Sequence, residues 1–109
     1  MDTTNIEMKN KLLNEKMLLI SIIGILESIK VGVLSVNEAE KFLFSPYMVQ
    51  RLKEKKYNEA IINLLEEGCE LEDILSLLPE NLEKEIERMK YNAFKEINKY
   101  EAFEKKFWI

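Results

Sequence analysis

The 109-residue sequence contains no histidine and one cysteine, Cys69. Histidine is the usual proton carrier near neutral pH and a common metal ligand. Its absence therefore removes most hydrolase triads, zinc sites and acid–base relays. With no imidazole to take its proton, Cys69 reads as a small hydrophobe rather than a nucleophile. It cannot form an internal disulfide, which fits a reducing compartment. The three glycines, Gly24, Gly32 and Gly68, are isolated from one another, so there is no Gly-rich phosphate loop. Carboxylates are the chemistry that remains. Glu70, Glu72 and Asp73 cluster, but without the D-x-D-x-D-G spacing of a calcium loop. No catalytic residue, cofactor or metal site is expected, and a binding role is.

The carboxylates are unevenly placed. Residues 1–58 carry 9 basic and 7 acidic groups, a net of +2. Residues 59–87 carry 10 acidic groups against Lys84 alone, a net of −9, and residues 88–109 carry a net of +3. Crowded like charges cost stability unless they are spread or countered. The basic C-terminal stretch could neutralise this zone within one molecule, and acids at helix starts also suit the helix dipole. Alternatively the zone is a docking face for a cationic partner, where acidic groups speed encounter and fix register. The residues expected to carry such binding are Glu66, Glu67, Glu70, Glu72 and Asp73, with Tyr57 as an apolar anchor.

Helices must hold these groups. Only 3 Gly and 2 Pro punctuate a chain rich in Leu, Glu, Lys, Met and Ile, and no stretch alternates as a strand would. Thr3, Thr4 or Asn5 can cap a first helix carrying Ile6, Leu12, Leu13, Met17, Ile20, Gly24 and Ile29. Its middle is apolar nearly all round, as in a helix buried on all sides, and Gly32 closes it. Ser35 to Glu38 forms a capping box for a helix over 36–44, with Ala39, Phe42 and Leu43 inward. Ser45-Pro46 is a cap followed by proline at the first helical position, ahead of Tyr47, Met48, Val49 and Leu52. Asn58 caps the next helix, whose inner face is Ile61, Ile62, Leu64 and Leu65, and Gly68 closes it. A short helix over 70–77 follows, with Leu71, Ile74, Leu75 and Leu78.

Pro79 opens the last helix, where Leu82, Ile86, Met89, Ala93, Ile97 and Tyr100 repeat at spacings of 4, 3, 4, 4 and 3. A run to Lys105 would be about 40 Å long, longer than a compact domain of this size is wide. Its end would project or pair with another surface. Tyr100, Phe103, Phe107, Trp108 and Ile109 either fold back over the core or anchor a partner. The fold expected is an all-α, single-domain, compact multi-helix bundle over 1–109. It has a buried N-terminal helix, short central helices and a long C-terminal amphipathic helix.

The stretches Gly24-Ile25-Leu26-Glu27-Ser28, Leu43-Phe44-Ser45-Pro46 and Gly68-Cys69-Glu70-Leu71-Glu72-Asp73-Ile74 resemble a family of small, uncharacterised bacterial proteins. The Gly32 to Glu40 segment shares in the resemblance, which covers about residues 18–90 and leaves out the aromatic tail. It implies bacterial origin, one domain and helical content, and brings no activity with it.

Small acidic bacterial proteins of this kind are similar to immunity proteins or antitoxins. The leading expectation is therefore an immunity-type inhibitor of a basic, nuclease-like toxin domain. A self-associating protein that dimerises through its last helix is the alternative. Nucleic-acid binding through Arg51, Lys53, Lys55 and Lys56 is weaker, because the joint at Ser45-Pro46 is tight for a helix-turn-helix and the chain is acidic. The N-terminus lacks a basic-then-apolar signal, and the ten-residue stretch Met17 to Leu26 is too short to span a bilayer, so a cytoplasmic location is expected.

Overall fold

A computed structural model describes residues 3–102, and side chains from Ile6 onward. Among the described residues there are six α-helices, one 3-10 turn and no strand. They are α1 (Thr3–Lys30), α2 (Val36–Phe42), α3 (Pro46–Glu54), α4 (Glu59–Cys69), α5 (Leu71–Leu77) and α6 (Leu82–Ile97). Pro79–Asn81 forms the 3-10 turn that leads into α6.

The boundaries follow from short-range hydrogen bonding. At α2 the Ser35 hydroxyl accepts from the Glu38 amide while the Glu38 carboxylate accepts from the Ser35 amide, a complete capping box. Ser45 caps α3 through the Met48 amide, with Pro46 at the first helical position. Asn58 caps α4 by accepting from the Ala60 amide at 2.9 Å. Two helices end alike. After α1, the Gly32 and Val33 amides donate to the carbonyls of Ile29 and Ser28. After α3, the Lys56 and Tyr57 amides donate to Lys53 and Leu52. Both are Schellman ends that need a left-handed residue. Gly32 takes that backbone at φ 84° without strain, whereas Lys56 takes it at φ 56° as the one described non-glycine residue with positive φ.

The core lies between α1 and α6, with α4 closing one side. From α1 it receives Leu19, Ile22, Leu26 and Ile29; from α4, Ile61, Leu64 and Leu65; from α6, Ile86, Met89 and Ala93. The expected last-helix stripe is thus in place. The first helix differs in detail, being buried along one stripe rather than all round, with Ile20 46% exposed. Because its middle is apolar in every direction, periodicity could not say which face turns inward. Packing against α6 decides it.

Three further expectations change. α2 ends at Phe42, and Leu43 leaves the helix at φ −149°, so Phe42 stays exposed and Phe44 turns into the core instead. α4 runs past Gly68 to Cys69, so Gly68 is interior to the helix rather than its end. α6 stops at Ile97 rather than near Lys105. There the Lys99 and Tyr100 amides make tighter bonds to the Glu96 and Ile97 carbonyls, and the turn carries Tyr100 toward α1. Phe103, Phe107, Trp108 and Ile109 lie outside the described residues. No described helix is long and apolar enough to cross a membrane.

Candidate partner-binding face

Charge segregation in the sequence becomes two different environments in the fold. Much of the acidic excess is met by α6 and its neighbours. Arg88 reaches both Glu67 at 2.8 Å and Glu85 at 2.7 Å. Lys30 pairs with Glu87 at 2.7 Å, and Lys90 bridges Glu87 and Glu27. Lys30 and Lys90 together hold the Glu87 carboxyl below its ordinary range, Lys30 foremost. Lys53 faces Glu66 at 3.4 Å. Glu66 and Glu67, two of the expected binding residues, are therefore engaged within the molecule.

The other three are not. Among the described residues no lysine or arginine pairs with Glu70, Glu72 or Asp73. α5 packs beside α2, which brings in a fourth acid that sequence spacing did not reveal. The Glu40 carboxyl comes within hydrogen-bonding reach of Glu72. That contact, then partial burial and the charges of Glu72 and Asp73, lift Glu40 above the usual carboxylate range. The signal for Glu40 was tertiary: it lies 32 positions before Glu72, and only the α2/α5 packing joins them.

Cys69 sits at the edge of this face. Burial first, and then the charges of Glu40, Glu66 and Glu70, push its thiol up from its ordinary value. A thiol held protonated is a poor nucleophile. No group of three or more described cysteine, aspartate and glutamate side chains is arranged to hold a metal ion. Beside the acids α5 leaves Leu75 and Leu77 exposed, and Leu78 just after it is exposed too. Leu75 is one turn from Glu72 and so on the same side of the helix.

Tyr57 is elsewhere. It packs against the core at the start of α4, roughly 18 Å along that helix from Glu70. The fold does not join it to the acidic face. Its neighbour Asn58 instead belongs to a buried polar cluster that sequence reasoning missed. The Asn58 amide N–H donates to Glu15 at 2.6 Å, and its side-chain amide donates to Glu96 at 2.9 Å and to the Tyr100 hydroxyl at 3.3 Å. Tyr100 in turn donates to the other Glu15 oxygen at 3.2 Å, and Lys99 meets Glu96 at 3.1 Å. Glu15 is 4% exposed and Glu96 8%, yet no described buried side-chain polar atom lacks a partner. Two carboxylates can be buried here because donors saturate them.

α6's apolar stripe is spent inside the monomer against α1 and α4. Its outer side leaves Tyr91 and Phe94 exposed, with the Lys95 ammonium 5.5 Å from the Tyr91 ring centroid.

No curated protein and no solved structure matches this chain. A family does, over residues 9–109, so that its pattern takes in the aromatic tail as well as the 18–90 stretch where the resemblance was read. Over nearly its whole length, then, the helical chain with this acidic face belongs to the family described as "Protein of unknown function (DUF3969)".

Proposed function

We propose that this protein is a non-enzymatic binding module that docks a cationic protein surface on its α2/α5 face, in the manner of an immunity protein or antitoxin that covers a basic toxin domain. One observation carries the reading. Glu40, Glu70, Glu72 and Asp73 have no lysine or arginine ion-pair partner among the described residues, while Glu66 and Glu67 of α4 and Glu85 and Glu87 of α6 do. Like charges left together cost stability, and a lysine or arginine from a partner removes that cost. The exposed leucines of α5 add an apolar anchor next to the charge, the mixture that makes an interface both oriented and adhesive. Of the residues expected from sequence, Glu70, Glu72 and Asp73 remain in the proposed contact. Glu66 and Glu67 flank it, and Tyr57 leaves it.

The test is capture of the partner from the native host with wild-type protein and with a Glu72→Lys/Asp73→Lys variant. The expected partner is basic, is held by the wild type and lost by the variant. Its affinity for the wild type drops roughly tenfold or more from low to physiological salt. A partner that binds both proteins equally and ignores salt overturns the reading. Self-association through α6, the other reading, keeps a foothold among the described residues on the outer side of that helix at Tyr91 and Phe94. A mass that stays monomeric across concentration in light scattering disposes of it.

A further inference from the structure

Helices α4 and α6 lie antiparallel. Glu67 meets Arg88 near one end of their seam, and the Asn58 side chain meets Glu96 near the other. One turn from the first pair toward the second, Asn63 of α4 comes opposite Asn92 of α6, and both line one open cleft. Three residues further along each helix stand Ala60 and Lys95. The alanine side chain is too short to cross the seam, and with Leu64 it makes an apolar floor. The space amounts to about 460 Å³, within the roughly 300–1,000 Å³ of sites that hold small molecules.

The polar groups around this space divide into those already engaged and those that are not. Two carboxylates line it, and both have internal partners. Glu67 has Arg88 at 2.8 Å, and Glu96 has Asn58 at 2.9 Å and Lys99 at 3.1 Å. Among the described residues the side-chain amides of Asn63, Asn92 and Asn98 make no hydrogen bond with the protein. Lys95 pairs with no described carboxylate. Its ammonium lies 5.5 Å from the Tyr91 ring centroid, an attraction that leaves the charge without a counter-ion.

The geometry points to a second binding site, in which the α4/α6 cleft takes a small ligand bearing an oxyanion, either a carboxylate or a phosphate ester. Lys95 meets the anionic group. An ammonium against an oxyanion makes a charge-assisted bond, stronger than a neutral one, so this contact sets the affinity. Asn63 and Asn92 reach in from opposite walls, with Asn98 just past the end of α6. An asparagine amide both donates and accepts, so the facing pair suits a ligand with a hydroxyl or carbonyl oxygen beside its charge. The cleft takes the opposite charge from the α2/α5 face and stands or falls independently of the function proposed for that face.

The test is nuclear magnetic resonance on the isotope-labelled full-length chain, titrated in turn with citrate and with glycerol phosphate while sodium chloride holds the ionic strength constant. The side-chain amide resonances of Asn63 and Asn92 should shift and saturate, and the anion that saturates them at the lower concentration identifies the group as carboxylate or phosphate. Lys95→Gln should weaken that binding roughly tenfold or more, the effect of losing one charged hydrogen bond. Ala60→Leu, which fills the floor, should abolish it, and the circular dichroism of both variants should match the wild type. Lys55→Gln removes an exposed cation outside the cleft and should change nothing. The inference is overturned if neither anion moves these resonances, if the shifts never saturate, or if Lys95→Gln binds as the wild type does.

Discussion

The ring of Phe44 packs against Gly68, so close that a Cβ on that glycine would stand less than 3.0 Å from three ring atoms. Helix α4 is unbroken there, and Gly68 is buried. The glycine is therefore required by the partner ring rather than by the backbone. Gly68→Ala should destabilise the fold by about 1–3 kcal/mol, the usual cost of overpacking. Chemical denaturation measures it. Trimming the ring in a Phe44→Leu/Gly68→Ala double variant should recover part of the loss, giving a clear coupling in a double-mutant cycle.

Lys56 presents the opposite case, a side chain where glycine would serve better. Its φ of 56° completes the Schellman end of α3, and the left-handed backbone costs a non-glycine residue roughly 1 kcal/mol. Lys56→Gly should raise stability by about that amount, less some gain in unfolded-chain entropy. The carbonyl that accepts from Lys11 is backbone and survives the change. A lower urea midpoint for the variant would contradict this account.

Asn58 joins three helices by serving as the α4 cap and as donor to Glu15, Glu96 and Tyr100. Asn58→Ala removes the cap and leaves Glu96 short of a donor, so a loss of about 3 kcal/mol is expected. Asn58→Asp keeps the cap but sets a third carboxyl against two buried ones. That variant should be unstable at neutral pH and recover as the pH is lowered, in denaturation curves taken at several pH values.

Glu40 ties stability to pH. Its folded-state pKa is raised, chiefly by the contact with Glu72. Its contribution to stability is therefore complete below the ordinary glutamate range and is lost as pH rises through the raised value. Glu40→Gln should flatten that decline. For the proposed cationic partner the sign reverses: affinity should climb with pH through the same interval, because a charged Glu40 attracts the incoming lysine or arginine. Proton release on binding, measured by calorimetry in buffers of different ionisation heat, checks the second statement.

Cys69 offers a chemical probe of the same face. With its thiol raised by burial and by Glu40, Glu66 and Glu70, alkylation by iodoacetamide near pH 8 should be slower than for the unfolded chain. Charge neutralisation at Glu40 should speed it. Equal rates before and after unfolding would mean that neither burial nor the acids protect the sulfur.

Helix starts and stops were largely legible in the residues, because a cap works within four positions of itself. Ser35 with Glu38, Ser45 with Pro46, Asn58 and Gly32 all do in the fold what their spacing suggests. Gly68 misleads because a helix-ending glycine and a ring-bearing glycine look the same until Phe44 arrives from 24 positions away. The inward face of α1 stayed hidden for a related reason: an apolar surface in every direction contains no vector. The acidic run was visible, but its division into neutralised and open halves depends on where Arg88, Lys53 and Glu40 land. The Glu15–Asn58–Glu96–Tyr100 cluster joins residues 38 to 85 positions apart, beyond any local pattern.

The hydroxyl that Tyr100 offers to Glu15 does more than satisfy an acid. Slide α6 by two helical turns along α1 and Ala93, which has nothing to donate, would stand where Tyr100 stands, leaving one oxygen of the buried Glu15 carboxylate without its donor while Asn58 keeps the other. Leucines and isoleucines alone would tolerate that slip, since one greasy layer fits much like the next. A single polar rung among them acts as a key that admits one alignment of the two long helices, and through it one placement of everything they carry.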